Sequence, residues 1–385
     1  MNIRIFTVLS AIVVLISGGA YYFSQDRKAL HSEAYEGGLL LPKLQSRVND
    51  VDMIRVESQE GGVIDLARNK DIWMVQNHHN YRANPDRVSI LLKQVATLET
   101  IEPKTAKPQN HARLNLDDPS GDGTKGTRVT LKVSGKDVAD VIFGLVSPPQ
   151  HGGGTFVRLY GEDQTWLVKD EVKPRRRTLD LLDRSVVNVD GRRIRSTRIQ
   201  HSNKKMGGVE EIVTISKTTP DQSEYELGIK IPTGFQAKPN HELSNIARVP
   251  DFMILEDVKP AERLKWDHSV ETVYETFDGL RLKFYSALQD DSKVWSKVLV
   301  EMGKRSSDLE TFINFKRDAD TEEARIAQQM KTQDEVAKEA KLLDSRVNGW
   351  AYRLTDYKSK RLTATSQDVI DKPEAAQRSG AAPRQ

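Results

Sequence analysis

The stretch VDMIRVESQEGGVIDL, residues 51–66, decides how the chain folds. Ile54-Arg55-Val56 and Val63-Ile64-Asp65-Leu66 are short apolar runs broken by charge, the pattern of strands with one buried face. Glu60-Gly61-Gly62 stands between them, and glycine supplies the backbone freedom that a tight turn demands. The stretch reads as a β-hairpin. Just beyond it, Ile72-Trp73-Met74-Val75 reads as a third strand. Asn84-Pro85-Asp86 then opens a helix, with proline at the first helical position. Val88, Leu91, Leu92, Val95 and Leu98 follow at spacings of three and four, which gives that helix one apolar face.

Further strands are expected over residues 128–133, 139–143, 155–159 and 164–168, with glycine-rich loops at 121–126 and 152–154. Residues 179–182 form a short apolar step. From Ile194 a second region echoes the first. Residues 211–215 and 225–231 read as paired strands, and residues 241–261 resemble residues 88–106, each an amphipathic helix running into an apolar step. Phe277-Asp278-Gly279 marks another hairpin between 273–276 and 280–285, followed by a strand at 294–301. Residues 320–347 are charged helix formers, with Asp320 and Glu323 as a capping box and Asn348-Gly349 as the stop. The narrow stripe of Ile326, Met330, Val336, Ala340, Leu343 and Val347 reads as a helix lying on its own domain; a partner-binding helix is the alternative. Strand-like texture resumes at Gly349-Trp350-Ala351-Tyr352. The expected fold is α+β, built of repeated antiparallel β-hairpin plus helix units.

The chain has 385 residues, 37% hydrophobic and 29% charged, with a formal net charge of +3. That balance gives no global basic field, so no nucleic-acid partner is expected. Cysteine is absent, which excludes disulfides, thiol catalysis and cysteine-ligated metal. Residues 5–23 carry no charged side chain and would span about 28 Å as a helix, close to the hydrocarbon thickness of a bilayer. Tyr21, Tyr22 and Phe23 sit where an aromatic belt would meet the headgroups. The segment reads as a transmembrane anchor; a signal peptide cut after the small residues Gly18 and Ala20 is the rival reading. The expected organisation is an anchor (1–23), a juxtamembrane linker (24–50) and a first α+β domain (51–190). A second domain (191–363) with a long helix at 321–347 and a disordered tail (364–385) complete it. The expected location is the bacterial inner membrane, single-pass, with the main domain periplasmic.

Candidate chemistry is sparse. His78-His79 lies in a polar context between Asn77 and Asn80 and reads as a hairpin loop rather than a metal site, since adjacent residues rarely face one ion. His151-Gly152-Gly153-Gly154 lacks the Lys-Ser/Thr ending of a phosphate-binding loop and falls between strands. Arg175-Arg176-Arg177 reads as a solvated charge run after Pro174, with anionic lipid or an acidic partner face as the alternative. Asp180, Asp183 and Asp190 are not spaced as an acid–base pair. Trp73, Trp166, Trp266, Trp295 and Trp350 fall mostly in strand-like runs and read as core, with sugar stacking as the alternative. No catalytic, cofactor or metal residue is assigned.

Residues 51–172 resemble the domain-of-unknown-function family 4340. Ile72-Trp73-Met74-Val75, Asn84-Pro85-Asp86, Leu116-Asp117-Asp118-Pro119, Phe143-Gly144, Thr155-Phe156-Val157-Arg158 and Trp166-Leu167-Val168 carry the likeness. Arg177-Thr178-Leu179-Asp180-Leu181 and Gly349-Trp350-Ala351-Tyr352-Arg353-Leu354 extend it. Asn115 stands where the family usually has glycine; asparagine tolerates positive φ, so the turn should survive. The resemblance implies a membrane-anchored extracytoplasmic accessory or scaffold protein with ABC transporter subunits as partners, and it brings no catalytic residues. A cell-envelope polysaccharide- or lipid-binding module is the alternative, and a hydrolase a third reading.

Overall fold

The computed structural model describes residues 35–201, 211–316 and 321–372. The expected anchor at 1–23 lies outside the described residues, as do residues 24–34 and 373–385. Among the described residues no helix is long and apolar enough to cross a membrane. The chain divides into two compact units. Of the described residues, the first takes in 35–77 and Arg82–Leu181; the second takes in His78–Tyr81 and those from Leu182 onward. The architecture is α+β with antiparallel sheets, as the alternation predicts.

The first sheet contains β1 (Met53–Ser58), β2 (Gly62–Asn69), β3 (Ile72–Val75), β4 (Tyr81–Arg82), β5 (Thr100–Pro103), β6 (Thr127–Val133), β7 (Lys136–Val146), β8 (Thr155–Leu159) and β9 (Thr165–Val168). Its order is β4-β3-β2-β1-β6-β7-β8-β9-β5. The hairpin at residues 51–66 forms as read, with Ile54 opposite Leu66 and Val56 opposite Ile64. The register then carries these side chains across to Leu131 and Val129 on β6, so one face is a continuous apolar surface. The other face is a ladder of ion pairs: Arg55 with Asp65 at 2.7 Å, and Arg128 with Asp140 at 2.6 Å and Glu57 at 3.6 Å. Helix α1 (Pro85–Ala96) starts at Asn84, whose side chain accepts the Arg87 N–H, and buries Val88, Leu91 and Val95. The glycine run 152–154 turns the chain between β7 and β8, where a Cβ on Gly154 would lie 2.0 Å from the Val168 carbonyl oxygen. That loop is shaped by the sheet itself.

The one-turn helix α2 (Thr178–Leu181) ends the first unit, and the second contains β10 (Ser185–Val187), β11 (Ile194–His201), β12 (Glu211–Ser216), β13 (Glu226–Leu227) and β14 (Gln236–Ala237). Helix α3 (Asn240–Ala247), β15 (Met253–Pro260), β16 (Val270–Thr276), β17 (Leu280–Leu288) and β18 (Val294–Met302) follow. Then come α4 (Leu309–Lys316), α5 (Glu322–Gln329), α6 (Gln333–Val347), β19 (Trp350–Leu354), α7 (Asp356–Leu362) and β20 (Ile370–Asp371). The sheet order is β10-β15-β19-β18-β17-β16-β11-β12-β13, and β14 pairs with β20. Read from the other edge, this order matches the first sheet over eight strands, with β4 and β10 the unmatched ones. β11, β12 and β13 correspond to β1, β2 and β3; α3 to α1; β15 to β5; and β16 through β19 to β6 through β9. Even the entry segment repeats: β10 pairs with β15, and Leu39 bridges Glu99 beside β5. The chief difference is what joins the last two meander strands. Residues 160–164 suffice between β8 and β9, whereas residues 303–349, with three helices, stand between β18 and β19.

Several boundaries depart from the sequence reading. The helix expected over 321–347 is two helices. Thr321 caps α5, and a separate capping box of Thr332 and Glu335 starts α6; Asp320 lies outside the described residues. The break has a tertiary cause, because the Lys331 N–H leaves the helical pattern to donate to Asp278 Oδ2 at 3.0 Å. Gly349, at φ 82°, closes α6 as expected. The α6 stripe of Val336, Ala340, Leu343 and Val347 is buried in its own unit, against β18. Residues 24–50 are not all linker: Leu44 is buried and Leu40 donates to the Leu98 carbonyl. The first unit ends at Leu181 rather than 190, since β10 belongs to the second sheet. The tail begins later than residue 364, because Ala364, Val369 and Ile370 pack against Leu243 and Ile246 of α3. The strand expected at 225–231 shortens to β13.

Asn115 adopts φ 56° and ψ 40°, the left-handed conformation that its place before Leu116 requires. Asn115→Gly should therefore leave stability within about 0.5 kcal/mol of wild type, while Asn115→Val should cost about 1–2 kcal/mol. Urea unfolding midpoints of the two variants check this.

Candidate functional site

The inserted helices of the second unit define a cleft of about 710 Å³. One wall carries Asn188, Asp190, Arg192, Arg193, Arg248 and Phe252; the other carries Gln328, Gln329, Met330, Lys331, Glu335 and Glu339 from α5, α6 and the break between them. Its floor is a buried ion cluster. The Arg193 guanidinium, 4% exposed, donates to both Asp278 oxygens at 2.7 and 3.2 Å and to both Glu339 oxygens at 3.0 and 2.7 Å. Burial pulls its proton affinity down, but the Glu339 hydrogen bonds and the Asp278 charge outweigh that, so the net shift is upward. Lys331 reaches Glu339 at 2.6 Å, and Thr276 Oγ1 donates to Asp278 at 2.5 Å. Arg305 donates to the Asp278 and Lys331 carbonyls, tying the turn Phe277-Asp278-Gly279 to the helix break. Local structure explains the placement: Asp278 sits in the β16–β17 turn, and Arg193 ends a 3₁₀ turn started by Asp190, whose side chain accepts the Arg192 N–H.

The rim is built differently. Phe252 is 74% exposed and holds φ 46°, a left-handed backbone that a bulky side chain resists. The surroundings hold it there. Its N–H donates to Asn188 Oδ1, Val189 donates to the Pro250 carbonyl, and the Lys358 ammonium donates to the carbonyls of Val249 and Asp251. Arg248, half-exposed, lies along Gly191, where a Cβ would come within 2.3 Å of its Nε, and pairs with Asp251 at 3.3 Å. Asp190 stays ionised below the ordinary carboxylate range: burial pushes it up, but hydrogen bonds from Arg192 win. Side chains that could do acid–base work are thus engaged with one another, and what faces outward is guanidinium, amide and one aromatic ring.

The residues weighed in the sequence fall elsewhere. The His78 and His79 rings are 5.4 Å apart, and Arg263 lies 3.2 Å from His79 Nδ1. Burial and then the Arg263 charge lower the proton affinity of His79, while His78 pairs with Asp257 at 3.3 Å. Among the described residues no group of three metal-capable side chains forms. Arg176 and Arg177 pair with Glu60 and Asp180. Asp183 pairs with Arg346 and Asp190 with Arg192, so the three aspartates do not converge. Trp295 is wholly buried, but Trp73, Trp166, Trp266 and Trp350 are only half-buried, which corrects the reading of all five as core. Lys297 lies over the Trp266 ring at 4.8 Å. Sequence reasoning missed the Arg193 cluster because its partners lie 85 and 146 residues away. Thr332-Gln333-Asp334-Glu335 was the available signal for the helix break.

Lys217 sits behind this cleft, 7% exposed, donating to the Pro220 carbonyl between the rings of Tyr225 and Phe277. Burial, and then the Arg248 charge, bring its pKa down from 10.5 to about 8. Between those values the unfolded chain binds the proton and the folded chain does not, so stability rises with pH across that window. Chemical unfolding from pH 7.5 to 11 should show wild type gaining up to about 3 kcal/mol more than Lys217→Met.

The family model for the domain of unknown function DUF4340 matches residues 73–259. The match runs from β3 through β15, so it takes in the motif residues from Trp73 to Leu181, while Val51–Ile72 and the Gly349–Leu354 stretch lie outside it. No curated protein matches the chain. The cleft draws on both sides of that boundary, with Arg193, Arg248 and Phe252 inside the matched span and α5 and α6 beyond it. Over residues 73–259 the chain is a DUF4340 domain.

Proposed function

We propose that this protein is a non-enzymatic accessory or scaffold subunit of an ABC-type envelope transport system. On this reading residues 5–23 hold it in the bacterial inner membrane, and two units of matching topology stand on the periplasmic side. The observation that carries the reading is the cleft of the second unit. Its titratable groups are engaged by one another, and its exposed features are Phe252 and polar side chains, a surface equipped to hold a partner rather than to move protons. The stretch that builds the second wall is the part that the otherwise equivalent first unit lacks.

A second reading, a module for cell-envelope polysaccharide or lipid, draws on a smaller concavity of the first unit. There Phe156 stands with Lys104 and Arg113 around about 450 Å³. A half-buried aromatic beside cations suits a sugar ring or an anionic headgroup.

Affinity purification of the tagged full-length chain from gently solubilised native membranes, with mass-spectrometric identification, separates the two. The accessory role predicts co-purification of an ABC permease and its ATPase. Recovery of the chain alone contradicts it.

A further inference from the structure

We infer that the cleft between the 188–193 and 248–252 segments and the inserted helices is a docking groove for an acidic peptide segment of a partner protein, with Phe252 as its apolar anchor. The inference deepens the accessory reading and rests on it for the partner's setting.

Charge supports the choice of partner. Above the Arg193 floor, each carboxylate lies deeper than the cation it pairs with: Asp251 is 20% exposed against 51% for Arg248, Asp190 33% against 38% for Arg192, and Glu339 13% against 37% for Lys331. Glu335 is exposed but is spent on the Thr332 cap, and Glu322 stands 3.5 Å from Arg192 at the side. Guanidinium forks therefore face an arriving ligand, and planar forks suit carboxylates. Arg248 and Arg192 also act at a distance, both opposing the charge on buried Lys217.

The remaining lining says why a peptide rather than a simple anion. Gln328 and Gln329 offer amides, which both donate and accept, as a peptide backbone requires. Gln329 Oε1 is screened from solvent and accepts no hydrogen bond within the protein. Phe252 is an aromatic ring held outward at a cost in backbone strain by Asn188 and Lys358. An unstrained residue would serve a merely structural loop, so the strain points to use of the ring.

The probe is a short fluorescein-labelled peptide in which glutamate and leucine alternate with glycine, read by fluorescence anisotropy against the full chain in detergent micelles. A counterpart with lysine for glutamate is the control. The glutamate peptide should bind and weaken with salt, and Phe252→Gly and Arg248→Gln should each weaken it by about tenfold or more. Phe252→Gly should melt no lower than wild type, because glycine accepts the left-handed backbone, so lost binding cannot be blamed on unfolding. Arg175→Gln, in the first unit, should bind as wild type. Absence of binding, equal binding of the lysine peptide, or unchanged affinity in both cleft variants overturns the proposal. Phosphatidylglycerol vesicles that bind with the same dependence on Phe252 and Arg248 also overturn it, in favour of a membrane surface. Failure here is distinguishable from failure of the accessory reading. Co-purification that survives both variants removes the groove and leaves the complex, whereas peptide binding without any co-purified transporter does the reverse.

Discussion

Arg193 reaches four carboxylate oxygens, two on the turn that joins β16 to β17 and two on α6, from a position almost closed to water. That arrangement constrains the whole second unit. A guanidinium has five N–H donors in a fixed plane, and here four hydrogen bonds fix the turn and the helix in one geometry. Removing the arginine would leave Asp278, wholly buried, and Glu339, nearly so, without their counter-charge, a loss of about 3–5 kcal/mol. The same contact dictates where the helical insertion breaks. Lys331 must present its N–H to Asp278 and its carbonyl to Arg305, which a continuous helix cannot do. The cleft exists because of that break.

Seen against the first unit, the insertion is the informative difference. The two sheets share the order of eight strands, each has an apolar face and a face of ion pairs, and α1 and α3 lead into β5 and β15, the strands that flank the last meander strand. On the open face of the second sheet, Glu275 bridges Arg195 and Arg281, and Glu301 bridges Arg281 and Lys283. Such exposed ladders keep the sheet face hydrated and contribute little stability apiece. Stability in both units comes from the apolar face, as with Tyr274 against Phe284 at 5.7 Å. The first unit connects its last two meander strands directly; the second spends that connection on a wall for a cleft.

Local chemistry was readable in the sequence, and distant chemistry was not. Asn84-Pro85 set the start of α1, Glu60-Gly61-Gly62 set a hairpin, and Asn115 kept its left-handed turn, because each rests on the backbone preferences of one or two residues. The single long helix at 320–347 was a misreading of the same kind of signal. Its charged stripe is continuous in period, but Thr332 and Glu335 cap a new start within it. The doubled topology was visible only as an echo between residues 88–106 and 241–261, since strand order depends on pairings that no short window contains. Of the cleft, the sequence itself displays Arg192-Arg193 as a local basic pair and Asp278 as a turn residue. Nothing in the sequence joins either to Glu339, and the exposure of Phe252 depends on Asn188 and Lys358, both far along the chain.

Hydrogen exchange on Arg193→Met is the most direct test that this ion cluster holds the insertion to its sheet. The account predicts faster exchange of the amides in α5 and α6 by roughly a hundredfold, the equivalent of about 3 kcal/mol, with β16, β17 and β18 as protected as in wild type. Unchanged exchange in α5 and α6, or equal loss of protection across the whole second sheet, would contradict it.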